Sequence, residues 1–180
     1  MMRYVAFLGS INVGGNRLKM IDLREALERE DFVGIETVAA SGNVLFEHEP
    51  MPPEGLAEKI AWIVAEEFEI DSEVVVMDRD ALAAAIADNP FADDGEPKFV
   101  HTTFFMEQPG EHQMKALELD HQGPERIAAG NKALHVDYVD GVGRSKLTGD
   151  FITRRLGIRG TARNIRSMKR ILDKLDELGG

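Results

Sequence analysis

Hydrophobic and polar positions recur along this chain with two periods, and the changes from one to the other predict its elements. Residues 3–8 are an apolar run closed by a glycine and read as a first strand. Residues 9–18, rich in Gly and Asn, read as a loop. From 19 to 30, Met20, Leu23 and Leu27 fall on one helical face. Two short β-prone runs, 35–40 and 43–47, flank Ser41-Gly42 and predict a hairpin. Over 54–69, Leu56, Ile60, Ile63, Val64 and Phe68 form one apolar stripe, entered through Pro52 and Pro53. Residues 72–77, with three central valines, predict a strand. The resulting order, β-α-β-β-α-β, is the split βαβ or ferredoxin-like motif.

The remainder partly repeats that order. A short helix over 80–88 follows a candidate cap, Asp78, and stops before Asn89-Pro90. Residues 89–97 carry two prolines, three acids and a glycine, a linker composition. A strand is predicted over 98–106, a helix over 111–119, and strands over 125–129 and 132–139 around the turn Gly130-Asn131. A helix over 145–156 would be capped by Ser145 and closed by Gly157, and a last helix, capped by Thr161 or Asn164, would end at 179. The halves therefore read βαββαβ and βαββαα. The expected fold class is α+β, with two ferredoxin-like subdomains in imperfect duplication and extra C-terminal helices. The expected domains are an N-terminal subdomain over 1–78, a linker helix and loop over 79–97, and a C-terminal subdomain over 98–180.

Composition narrows the classes of function. The 180 residues, 43% hydrophobic, are enough for a sizeable core, and the absence of cysteine excludes a disulfide scaffold, a thiolate metal site and a cysteine nucleophile. The first apolar run is too short for a signal peptide or a membrane span, so a cytoplasmic protein without a membrane partner is expected. The net charge of −11 opposes nonspecific binding to nucleic acid. It hides an asymmetry, because ten basic residues between Arg144 and Lys174 face only Asp150 and Asp173. That segment either meets phosphates or docks on the acidic half of the same chain.

Three stretches carry a resemblance: YVAFLGSINVGGN, ASGNVLF and GRSKLTGDFITRRLGIRGTARNIRSMKRILDKL. Together they resemble the bacterial DUF1697 family, whose members have no known function. The resemblance implies a two-subdomain α+β fold and no particular activity. Where the family reads LRGINVGG, this chain has Gly9 and Ser10 in place of Arg and Gly, and its Arg163-Asn164-Ile165-Arg166-Ser167 lacks the Trp of the family's RNWNT.

The loop Gly9–Asn16 is the first candidate site, since amides between a strand and a helix can cradle an anion. Its GxxxxG spacing mimics a phosphate loop, but Gly15 and Asn16 stand where Lys and Ser/Thr are required, so an NTPase is not indicated. The same residues equally suit positive-φ turns. In a sheet of order 4-1-3-2, the end of strand 1 and the strand 2–3 turn share an edge. That brings Ser10, Asn12, Gly14, Gly15 and Asn16 near Ser41, Gly42 and Asn43. Arg144, Ser145 and Lys146, at a predicted helix start, and Arg163 with Asn164 are second candidates for holding a phosphate. The other reading of that cluster is a plain cap with two solvated cations.

Other chemistries find little support. A helix-turn-helix centred on Gly157 would need apolar residues where Arg163 and Arg166 stand. The stripe Ile165, Met168, Leu172 and Leu175 predicts a helix packed on its own core, with a basic outer face able to touch phosphates without reading bases. His48, His101, His112, His121 and His135 show no metal-ligand spacing, and no nucleophile elbow exists. Trp62 is expected in the core or at a subdomain interface. Phe104 and Phe105 fall on opposite strand faces, which makes one a candidate for exposure. No cofactor and no catalytic group are indicated. The readings that stand are a small anionic ligand at the Gly/Asn loop, nucleic acid on the basic helices, or a protein partner with no ligand.

Overall fold

A computed structural model of the chain describes residues 1–39 and 42–179. It divides into two compact units, one of residues 1–82 together with the segment from Arg170 onward, the other of residues 83–169.

The first unit contains β1 (Met2–Leu8), α1 (Met20–Glu28), β2 (Val33–Thr37), β3 (Asn43–His48), α2 (Pro53–Phe68) and β4 (Val74–Asp78). Its sheet runs β2-β3-β1-β4, every neighbour antiparallel, which is the ferredoxin-like order. The register sets Tyr4 opposite Phe46 and stacks their rings at 5.6 Å. Phe32 meets Phe46 edge-on at 4.9 Å, a favourable aromatic geometry. Lys59 of α2 lies over the Phe32 ring and reaches His48 Nε2 at 3.1 Å, so α2 crosses this face of the sheet. Leu56, Ile60, Ile63 and Val64 of α2 are buried. Each such side chain stabilises the fold by roughly 1.5–3 kcal/mol. Trp62, expected inside, is 57% exposed, because a residue two positions past Ile60 points away from that stripe.

α3 (Arg79–Ala87) begins at Asp78, whose Oδ1 accepts the amide of Ala81 at 2.8 Å, the cap its position in the sequence predicts. The second unit then holds β5 (Val100–Phe105), α4 (Glu111–Asp120), β6 (Arg126–Gly130), β7 (Ala133–Asp137), α5 (Gly149–Leu156) and β8 (Gly160–Asn164), followed by α6 (Ile165–Glu177). Its sheet runs β6-β7-β5-β8, the same order as the first. The duplication is thus fuller than βαββαα. β8 escapes a sequence reading because its five residues, GTARN, show no apolar alternation. It pairs with β5 through a close approach: a Cβ on Gly160 would lie 2.7 Å from the Phe104 carbonyl oxygen.

Phe105, Met114, Leu117, Leu134, Val136, Ile152 and Leu156 form the apolar core of this unit. Phe104 and Phe105 are both buried, so neither is the exposed aromatic of the sequence reading. On α6 the buried stripe is Ile165, Met168, Ile171 and Leu175, with Ile171 rather than Leu172 in the innermost position. Within the first unit, the end of α6 is tied down by Lys174 to Glu36 at 3.5 Å and by Asp176 to Arg79 at 2.8 Å. The last basic residue of the segment therefore docks on an acid of the N-terminal half. No helix among the described residues is long and apolar enough to cross a membrane.

Candidate functional site

The Gly9–Lys19 loop starts where β1 ends, and β1 fixes its neighbours. Leu8 pairs with Val74 of β4, and its amide donates to the Gly42 carbonyl at 2.8 Å. The loop thus leaves the sheet from between Gly42 and the start of β4. Ser41 lies outside the described residues. Asn43 is buried and donates from Nδ2 to the Val38 carbonyl at 3.1 Å.

The loop's polar side chains mostly hold the loop itself. Ser10, at φ +61°, donates from Oγ to the Glu73 carboxylate at 3.0 Å. The Gly9 amide donates to the Glu73 carbonyl at 2.8 Å, and Ser72 Oγ to the Gly9 carbonyl at 2.6 Å. A Cβ on Gly9 would sit 2.2 Å from Glu73 Oε1, so the carboxylate fills the space a side chain would take. Asn16 donates to the Ser10 carbonyl at 2.7 Å, and Asn12 Oδ1 accepts the Leu18 amide at 3.0 Å.

The apex is different. Gly14 and Gly15 are exposed, with no atom within 4 Å of a Cβ added to either. Arg17 folds back so that Nη1 donates to the carbonyls of Asn16 at 2.7 Å and Gly14 at 3.3 Å. Its guanidinium meets no acid among the described residues. Lys19, exposed, precedes α1 with no side-chain cap on the helix. Neither Arg17 nor Glu73 is marked as a site residue by local sequence pattern. Glu73 is accessible through strand order, because antiparallel pairing of β1 with β4 makes it the neighbour of Gly9.

The second candidate set lies in the second unit, where Val100 pairs with Asp137 and His101 with Asn164. This register gathers the start of β5 with the ends of β7 and β8. Asn164 and the loop entered from Tyr138 accordingly share one end of the sheet. Asn164 donates to the carbonyls of Lys98 at 2.9 Å and Pro97 at 3.1 Å, and its Oδ1 accepts the Arg166 amide, capping α6. Arg163 donates to Thr161 Oγ1 at 2.6 Å. Arg144 and Lys146 are exposed.

Ser145 is not a helix cap. α5 begins four residues later, at Gly149, where Thr148 accepts the Phe151 amide. Ser145 Oγ accepts the Leu147 amide at 2.9 Å and donates to Glu125 Oε1 at 2.5 Å. Glu125 Oε2 is buried without a hydrogen bond among the described residues, 3.6 Å from His121 Nε2. Burial, with the Glu125 charge beside it, pushes the Tyr138 phenol up to about 12, and its hydroxyl donates to the Leu147 carbonyl at 3.2 Å. These bonds commit the Ser145 hydroxyl to holding its loop. No group of three His, Asp or Glu that could hold a metal ion occurs among the described residues.

The fold defines a class: an α+β protein of two ferredoxin-like units with loop-borne polar residues at the sheet edges. Residues 1–135 match the family model DUF1697, described as protein of unknown function, and the chain belongs to that family. Among solved structures, the conserved bacterial protein SP0830 from Streptococcus pneumoniae is similar at 19% identity and a TM-score of 0.71, over 98% of this chain and 99% of that one. That likeness concerns the fold. No curated protein matches the chain.

Proposed function

We propose that the chain binds a small, phosphate-bearing anion at the apex of the Gly9–Lys19 loop. The observation that carries this reading is Arg17, a guanidinium held in place by two neutral carbonyls and opposed by no acid among the described residues. A cation ordered before the ligand arrives loses less freedom on binding. The open backbone at Gly14 and Gly15 lets an anion approach the amides, and the uncapped start of α1 adds its dipole. Ser10, turned to the Glu73 carboxylate, faces the acidic side of the loop, so the ligand is placed at the apex.

The experiment is a thermal-shift and calorimetric titration with inorganic phosphate, sugar phosphates and nucleotides. A ligand at 100 times its dissociation constant stabilises by about 2.7 kcal/mol. Arg17→Ala is expected to weaken a hit at least tenfold, while Arg166→Ala leaves it unchanged. A hit indifferent to Arg17→Ala, or no hit at all, overturns the reading.

A second reading rests on α6, where Arg166, Lys169 and Arg170 are exposed at i, i+3 and i+4 with no acidic partner among the described residues. Such a face suits a nucleic-acid backbone. It predicts oligonucleotide binding that falls steeply with salt and is abolished by charge reversal at Arg166 and Arg170.

A further inference from the structure

The face of the second sheet that carries Thr102 and His135 sets polar residues among apolar ones such as Val100 and Phe104. Register places Val100 opposite Asp137, Thr102 opposite both His135 and Arg163, and Arg126 opposite Asp137. Thr102, His135 and Asp137 are nonetheless 0%, 2% and 4% exposed. Residues 88–97 lie against this face, and two polar clamps hold them. In the first, Asn89 Nδ2 approaches Thr102 Oγ1 at 3.5 Å, and Thr102 Oγ1 bonds His135 Nδ1 at 2.9 Å. In the second, Arg126 grips Asp94 through two bonds of 2.9 and 3.0 Å, donates to Asp137 at 2.6 Å, and covers the Phe91 ring at 4.7 Å.

We propose that residues 88–97 form a proton-gated strap on this face, closed while His135 is neutral and released when its imidazole takes a proton. The gate follows from the geometry of the first clamp. With Asn89 donating to Thr102 Oγ1, the Thr102 hydroxyl keeps its hydrogen for His135 Nδ1 in the neutral tautomer protonated on Nε2. A proton on Nδ1 reverses that bond, turns the hydroxyl into an acceptor, and leaves its own hydrogen without the partner it had. Burial also opposes a charge at this position. Arg126, Asp137 and Arg163 carry the charges on the sheet face of the imidazole, and Asp88 acts on it from the strap. Asp88, at the start of the strap, favours the charged form. Asp137, two residues along β7, is neutralised by Arg126, and Arg163 on β8 opposes a second cation. In the second clamp Arg126 holds Asp94 below the usual carboxylate range, so release begins at Asn89.

Hydrogen exchange of the full chain, read at the amides of Phe91 and Gly95, tests the gate. These amides bond Asn89 Oδ1 and the Phe91 carbonyl. Corrected for intrinsic rates, their opening is expected to rise by up to tenfold per pH unit from about pH 6.5 downward, as for one linked proton. Amides of β5 and β7 should stay protected. His135→Gln is expected to abolish the pH response. Asp88→Asn, at an exposed position, should leave the onset near pH 6.5 and extend the rise to lower pH without changing the fold. Strap amides that ignore pH, or that open only together with β5 and β7, overturn the proposal. So does a pH response that persists in His135→Gln, or, should that variant fail to fold, one that Asp88→Asn does not extend to lower pH.

Discussion

In the first sheet the central strand β1 buries Tyr4, Val5, Ala6, Phe7 and Leu8 in succession; in the second, the equivalent strand β5 buries Thr102 and Thr103 in the same stretch. Strand order is identical, and so is the antiparallel pairing. What differs is the energy that holds each interior. The central strand of the first sheet relies on apolar area and aromatic packing. The second adds hydrogen-bonded pairs, Thr102 with His135 and Arg126 with Asp137, whose loss leaves polar groups stranded. Topology and interior chemistry are therefore separable in this protein.

Three perturbations test that contrast. Phe46→Ala removes a ring that stacks on Tyr4 and meets Phe32 edge-on, and should cost about 3–5 kcal/mol in urea unfolding, the largest loss of the three. An undiminished urea midpoint would show that the first interior is not held as described. Thr102→Val keeps the shape but strands His135 Nδ1, and should cost about 1–3 kcal/mol. A neutral result at Thr102 would make the polar pair in the second interior dispensable and erase the difference between the sheets.

The smallest effect expected is on pH. Burial lowers the pKa of both His135 and His101, so below about pH 6.5 the unfolded chain binds more protons than the folded one. Stability is full above that value and falls as pH drops below it. Arg126 and Arg79 hold Asp94 and Asp176 below the usual carboxylate range, which places a separate loss at more acid pH, below about 4. Urea midpoints at pH 7.5 and 5.5 with an unchanged slope should show the histidine loss. His135→Gln should shrink it, leaving the part that belongs to His101.

Most of the first unit is legible in the chain because its apolar residues repeat with clean periods of two and 3.6. The β1, α2 and β4 patterns leave few alternatives, and the βαββαβ order then dictates which loops share an edge. β8 was not legible, because a strand that borrows its stability from pairing with β5 needs no apolar alternation of its own. Ser145 misled for a related reason. A serine before a helical pattern reads as a cap, and only the position of Glu125 shows that its hydroxyl is engaged elsewhere.

The candidate site divides in the same way. That a Gly/Asn loop follows the first strand, whose last amide donates to the Gly42 carbonyl, was determined by local pattern and strand order. Which side of the loop is cationic was not, because Glu73 and Arg17 approach it from opposite directions in sequence. Backbone periodicity is a local property and survives in a one-dimensional reading. The partner of a buried or ordered charge is chosen by whatever the tertiary structure brings within about 3 Å, a typical hydrogen-bond distance.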